Sequence, residues 1–204
     1  MANDNSKNLI LQKALTLFCA HGYDGTGIQD ITAAAGVTKP TLYYFFGNKD
    51  GLFEAVWETY FPILENPLIP CCRYENHIAD YESDVYGQLR RIVAQFFDFI
   101  KNQQEFYRLM MEAVYAPPES KALSLSTGYF NRLYGLLEQF FTGASEAHGT
   151  MKGKEHEFAI SFLAQINAYA GIWLALPEGS PQRPLLDDSC AHTLVKQFMH
   201  GIFS

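Results

Sequence analysis

Along the first sixty residues the apolar positions recur at helical spacing, and small or capping residues interrupt them at short intervals. Leu9, Ile10, Ala14, Leu17 and Phe18 mark a first helix that Gly22 ends. Thr26 stands three residues before Gln29, the spacing of a capping box, and Ile28, Ile31 and Ala35 follow on one face of a second helix. Gly36-Val37 breaks it, Thr38 caps a third, and Pro40 falls early in that helix, where its missing N–H costs little. After Gly47-Asn48 a fourth helix runs from Lys49 through Phe53, Val56, Trp57 and Tyr60. The connection between the second and third helices is too tight for an antiparallel hairpin, which is the pattern of a helix-turn-helix.

From Pro62 the stretch PILENPLIPCCRYENHIADYES has three prolines and little periodicity, and reads as a boundary. Helical patterns resume over about residues 84–101, 104–115, 120–141, 155–176 and 187–203, the second of them stopped by Pro117-Pro118. No strand pattern or internal repeat occurs. The pattern predicts an all-α chain: a helix-turn-helix domain over residues 1–48, then a larger helical domain over 49–204 that opens with a linking helix over about 49–61.

Composition adds that the chain has an ample core. Hydrophobic residues make up 48% and aromatics 15%, while charged residues are only 18%, so some apolar surface is expected between subunits or around an apolar ligand. The net charge of −7 argues against a protein that coats nucleic acid non-specifically. Within residues 1–50, however, Lys7, Lys13, Lys39 and Lys49 balance Asp4, Asp24, Asp30 and Asp50, so the acidity lies beyond them. No apolar run approaches bilayer length and no signal peptide opens the chain, so a cytoplasmic protein with no membrane partner is expected. The four cysteines read as free thiols; Cys71-Cys72 with His77 supply at most three ligands of a metal or thiol sensor, against the plainer reading of a loop. No nucleophile elbow, phosphate loop, dinucleotide fingerprint or zinc motif is present, and His192 and His200 stand too far apart to share a metal. The expectation is therefore a protein without catalytic residues, metal or cofactor.

The third helix carries the chemistry. With Val37, Leu42 and Phe45 turned inward, Lys39, Thr41, Tyr43 and Tyr44 stay wholly or partly outside. A short helix displaying a lysine, hydroxyls and phenols suits the DNA major groove, where such groups reach phosphates and base edges. The plainer alternative is a set of half-buried aromatics beside a solvated charge.

GYDGTGIQDITAAAGVTKPTLYYFFGNKDGLFEAV resembles the DNA-binding segment of the TetR/AcrR family of transcriptional regulators. The matching features are Gly22-Tyr23, Thr26, Ile28, Ile31, Ala35-Gly36-Val37, Thr38, Thr41-Leu42-Tyr43, Phe45 or Phe46, Lys49 and Leu52-Phe53. Gly27, Thr32, Pro40 and the Phe45-Phe46 pair depart from the family's usual residues. The resemblance implies that Thr26, Gln29 and Lys49 contact the DNA backbone, while Thr38, Lys39, Pro40, Thr41, Tyr43 and Tyr44 form the reading surface. It also implies a homodimer on a palindromic double-stranded operator, released when a ligand in the C-terminal domain shifts the fourth helix.

In the remaining chain, Phe158, Phe162, Ile166 and Trp173, with Leu194, Phe198 and Ile202, line two helices that would form a four-helix bundle with a second subunit; packing within one subunit is the alternative. Aromatic and methionine side chains are dense. Phe96, Phe99, Tyr107, Met110, Met111, Phe130, Tyr134, Gln165 and Tyr169 are the candidates for an effector pocket, with core filling as the alternative. Arg108 and Arg132 are the few cations in reach, which favours a neutral or cationic apolar or aromatic effector over a polyanion. A helix-turn-helix protein controlled by a protein partner, or one with an architectural role, stands as the second reading.

Overall fold

The computed structural model describes residues 2–80, 83–149 and 151–201. Helices occur at α1 (Ala2–Gly25), α2 (Ile28–Ala35), α3 (Lys39–Phe46), α4 (Lys49–Cys71), α5 (Val85–Asn102), α6 (Gln104–Val114), α7 (Lys121–His148), α8 (Glu155–Ala175) and α9 (Asp188–His200), and no strand occurs among the described residues. The chain is all-α, as its periodicity predicts. It divides into two compact units, Met1–Ile63 with Gln103–Phe130, and Leu64–Asn102 with Asn131–Ser204.

In the first unit α1 packs against α2, α3 and α6. Ile10, Ala14 and Phe18 of α1, Ile31 of α2 and Leu42 of α3 are fully buried, the i, i+4, i+8 stripe of α1 supplying the floor for the next two helices. Gly22 breaks α1 with φ 70° and ψ 173°, a conformation open only to glycine. The cap of α2 lies one residue later than the sequence predicts. Gly27 is the N-cap, and Asp30, not Gln29, reaches back, its carboxylate accepting from the Gly27 N–H at 3.2 Å. Thr26 is turned inward instead, its hydroxyl within reach of Leu17 O at 3.0 Å and Gly22 O at 2.7 Å.

The main departure is α4. The stretch expected to be a boundary continues the helix to Cys71 through Pro62, Pro67 and Pro70. Phe61, Leu64, Leu68 and Cys72 are buried in sequence at spacings of three and four, so an apolar stripe holds the helix where proline alone would stop it. At its start, Asn48 Oδ1 accepts from the Gly51 N–H at 2.8 Å. Gly51 is required there, since a Cβ at that position would lie 2.3 Å from Phe46 O.

In the second unit α5 packs on α8 and α9. The loop after α4 is fastened by Gln88, fully buried, whose side chain accepts from Glu75 N at 2.8 Å and donates to Glu75 O at 2.6 Å. Tyr74 donates to Asp84 at 2.5 Å, and His148 Nε2 lies 2.9 Å from both the Tyr74 hydroxyl and the Asp84 carboxylate.

Candidate nucleic-acid interface

Two glycines set the helix-turn-helix. Gly36 closes α2 in the left-handed region (φ 64°, ψ 31°), and the Val37 N–H donates back to Thr32 O at 3.0 Å. Thr38 then caps α3, its hydroxyl accepting from the Thr41 N–H at 3.4 Å and lying 2.9 Å from the Thr41 hydroxyl. Leu42 and Phe46 face inward at i and i+4; Phe46, and not Phe45, is the buried member of that pair.

The outward face carries Thr38, Lys39, Pro40, Tyr43 and Tyr44, all exposed, with Thr41 half-buried beside them. Tyr44 is 76% exposed, its ring held only edge-on against Phe45. Gln29 of α2 is exposed as well. Lys39 is the one charged residue of α3 and sits in its first turn, where the helix dipole disfavours a cation. A lysine placed against its own helix field and without a bond among the described residues gives no local stabilisation and leaves its ammonium free to meet an external anion.

Two residues expected at the DNA backbone are engaged within the protein. The Thr26 hydroxyl is buried, as described. Lys49 Nζ donates to Tyr23 O at 2.9 Å and Thr26 O at 3.3 Å and lies 4.2 Å from the centre of the Tyr23 ring. Beside it, the Tyr23 hydroxyl donates to Asp50, and Lys121 Nζ at the start of α7 pairs with Asp50 at 3.0 Å. These partners hold the Asp50 carboxyl below its ordinary range, the Tyr23 hydrogen bond first and Lys121 second. Burial, then Asp50, pushes the Tyr23 phenol well up. This junction was not legible in the sequence, because nothing in the spacing links Lys121 to Asp50.

The other expected sites divide. Phe162, Ile166 and Leu194 are fully buried inside the single chain, Phe162 against Phe141 and Phe198, so they pack within the subunit. Phe158 stacks into the same group, and Trp173 is half-buried under the Arg183 guanidinium, 4.5 Å from its ring. Ile202 lies outside the described residues. Ile160, Ala164, Ala168 and Ile172 are among the residues that α8 leaves outward, with Ser161 and Gly171 beside them. This helix, against the sequence reading, is long and apolar enough to cross a membrane by length and composition, with only 28% of that window buried.

Of the effector candidates, Tyr107, Met110, Met111 and Phe130 belong to the first unit, and Phe96, Phe99, Tyr134, Gln165 and Tyr169 to the second. Phe96, Phe99, Tyr107, Met110 and Phe130 are buried; Met111, Tyr134, Gln165 and Tyr169 are half-buried. A cavity of about 390 Å³ in the second unit is lined by none of the nine; Asp84, Tyr86, Phe141, His148, Phe158 and Phe198 are among its walls. Arg108 is exposed and Arg132 forms a two-pronged pair with Glu65 at 2.7 Å, so neither is a buried cation. Burial pushes all four thiols up, Cys72 to about 12, which leaves no reactive thiolate. No group of three metal-type ligands forms among the described residues.

This geometry can be set beside known proteins. Residues 10–56 match the profile described as "Bacterial regulatory proteins, tetR family". Over 201 residues the chain is 31% identical to the HTH-type transcriptional activator FasR of Mycolicibacterium smegmatis, covering 98% of this chain and 84% of FasR. The chain belongs to the TetR family. It is thus a DNA-binding transcriptional regulator by family, and not an enzyme. Over 54 residues it is 46% identical to the HTH-type transcriptional repressor ComR of Escherichia coli, a match spanning 26% of each protein. Among solved folds, it is similar to FadR from Bacillus subtilis in complex with stearoyl-CoA (TM-score 0.73, 12% identity, 95% of this chain and 98% of that one). It is also similar to AibR in complex with isovaleryl coenzyme A and operator DNA (TM-score 0.69, 20% identity, 94% and 97%).

Proposed function

We propose that this TetR-family regulator is a ligand-responsive repressor that binds a palindromic operator as a homodimer through α3. The observation that carries the reading is the outward face of α3, where Lys39, Pro40, Tyr43 and Tyr44 are exposed around a buried Leu42 and Phe46. Thr38, Thr41 and Gln29 complete the surface; Thr26 and Lys49 act behind it, fixing the α1–α2 junction against the start of α4. The functional division is a reading head over residues 1–48 and an effector and dimerisation part over 49–204.

A single α3 reads a few base pairs, and two related by a two-fold axis read half-sites about one turn apart. The second subunit is supplied by the outward face of α8. Ile160 and Ile172 are 42% and 47% exposed there, with Ala164 and Ala168 between them to allow close approach. No charged residue interrupts the helix between Glu157 and its end. Such a face is the expected cost of a subunit seen without its partner. The effector presents an apolar chain, and acyl thioesters are the class to test first, although their coenzyme A part is the polyanion that the sequence disfavours: regulators of this fold hold stearoyl-CoA and isovaleryl coenzyme A, and the aromatic interior here suits an acyl chain.

Selection of random duplexes on the purified protein tests this reading at a stated, near-physiological salt. Enrichment of an inverted repeat is the expected result. A folded protein that enriches nothing, or only a single half-site, overturns the dimeric reader.

A further inference from the structure

Trp57 lies on α4 within the first unit and is fully buried. Aromatic rings enclose it: Phe106 at 5.2 Å between ring centres, Tyr129 at 5.1 Å, Phe130 at 5.3 Å, Phe53 at 6.2 Å and Phe61 at 6.3 Å. Tyr60 stacks on Phe106 from outside. Inside this box the indole Nε1–H has no hydrogen-bond acceptor among the described residues. A buried donor without an acceptor carries a desolvation penalty that a phenylalanine in the same place would avoid. A site that needed only to be filled is better served by a ring without an N–H.

Phe53, Phe61, Phe106 and Phe130 are buried, whereas Tyr60 and Tyr129 are only half-buried, so the box opens on the tyrosine side. A group that turns the Tyr129 ring aside meets the indole N–H among aromatic rings, with the phenols of Tyr60 and Tyr129 at the opening. The rings that enclose the indole are uncharged and the carboxylate nearest the opening, Glu105, acts on Tyr60, so an anionic group would enter unpaired at high cost, and the matching acceptor is a neutral carbonyl on an apolar chain. We propose that Trp57 Nε1–H is the donor that recognises the acyl carbonyl of the effector. The proposal rests on the ligand-responsive reading above and gives it a site.

The position also gives regulation a route within one compact unit. Trp57 stands two turns beyond Asp50 on α4, about 10 Å along the axis. Tyr129 and Phe130 stand on α7, whose first residue, Lys121, pairs with Asp50. A carbonyl wedged between Trp57 and Tyr129 therefore acts on the two helices that Asp50 and Lys121 join. Asp50 is in turn held by Tyr23 beside Lys49, at the junction behind α2 and α3.

The experiment uses the full chain carrying Trp173→Phe, which leaves Trp57 as the single tryptophan of the two. The probes are stearoyl-CoA and shorter straight-chain acyl-CoA thioesters and the matching S-alkyl-CoA thioethers, which lack the carbonyl. Calorimetry and Trp57 emission are read together. The expected result is a shift of Trp57 emission with thioester, and tighter binding of thioester than thioether by about three- to tenfold, the value of one buried hydrogen bond. That preference disappears in Trp57→Phe, which without ligand melts at the same or a higher temperature. An equal loss of both probes in Trp57→Phe, or no preference for thioester even in the parent, overturns the proposal while the effector reading stands. Failure of every probe to bind overturns the acyl effector as well, and leaves operator binding, measured separately, untouched.

Discussion

Replacing Lys39 with alanine isolates what α3 does. Lys39 is exposed, is the only charge on its helix, and opposes the helix dipole from the first turn. Its removal should leave stability within about 0.5 kcal/mol of the parent, with a small gain if anything. On DNA a dimer loses two lysines. If each neutralises a phosphate, the slope of log affinity against log salt becomes shallower by roughly 1.8. Between 50 and 200 mM salt, an interval of about 0.6 log units, the gap between parent and variant then narrows by about tenfold. If Lys39 instead reads a base edge, about 1–3 kcal/mol of discrimination is lost at one position of each half-site and the slope changes less. Fluorescence anisotropy titrations at several salts on the selected duplex, with point substitutions in each half-site, separate the two, and a melting curve accompanies each. Unchanged affinity and specificity at every salt would refute the assignment of α3. A fall in melting temperature with DNA affinity retained in the folded fraction would show that Lys39 is structural.

Three further outcomes follow from the same geometry. Gly51→Ala drives a methyl onto Phe46 O and should cost about 1–3 kcal/mol, seen as a lower melting temperature together with lost operator binding. Ala168→Glu places a charge on the outward face of α8 and should give a folded monomer by sedimentation, whereas a mutant that stays dimeric contradicts that interface. Partial desolvation holds the Glu112 carboxyl above its ordinary 4.5 although the residue as a whole is exposed, so the folded state mildly resists its ionisation: its contribution is intact below pH 4.5 and is lost as pH rises through the folded value. Glu112→Gln should therefore melt higher than the parent at pH 7 and level with it near pH 4; equal melting at both would contradict the burial argument.

The helix-turn-helix was readable because its punctuation is unambiguous. Gly36 and Gly47 end their helices with positive φ, and Thr38 caps α3 from the position its sequence predicts. Finer registers were not. Thr26 and Gly27 each stand three residues before a residue able to close a capping box, and only the buried hydroxyl of Thr26 decides between them. Phe45 and Phe46 are equally apolar, and the choice depends on the tilt of α3 over α1 and α2. The length of α4 was hidden because Pro62, Pro67 and Pro70 read as breakers while the stripe of Phe61, Leu64, Leu68 and Cys72 runs between them. In α8 the apolar residues cover nearly the whole circumference, so periodicity could not tell the inward Phe162 and Ile166 from the outward Ile160 and Ile172. In the sequence Trp57 only marks the fourth helix, since a missing acceptor is a property of neighbours brought together by folding.

The central claim is that the outward face of α3 enters the major groove once per subunit, and a photo-crosslinking amino acid in place of Tyr44 tests it most directly. On the selected duplex the account predicts crosslinks to bases in both half-sites, centred about one helical turn apart. Crosslinks to protein alone, from a dimer shown to be bound to that duplex, would mean that α3 does not read the DNA.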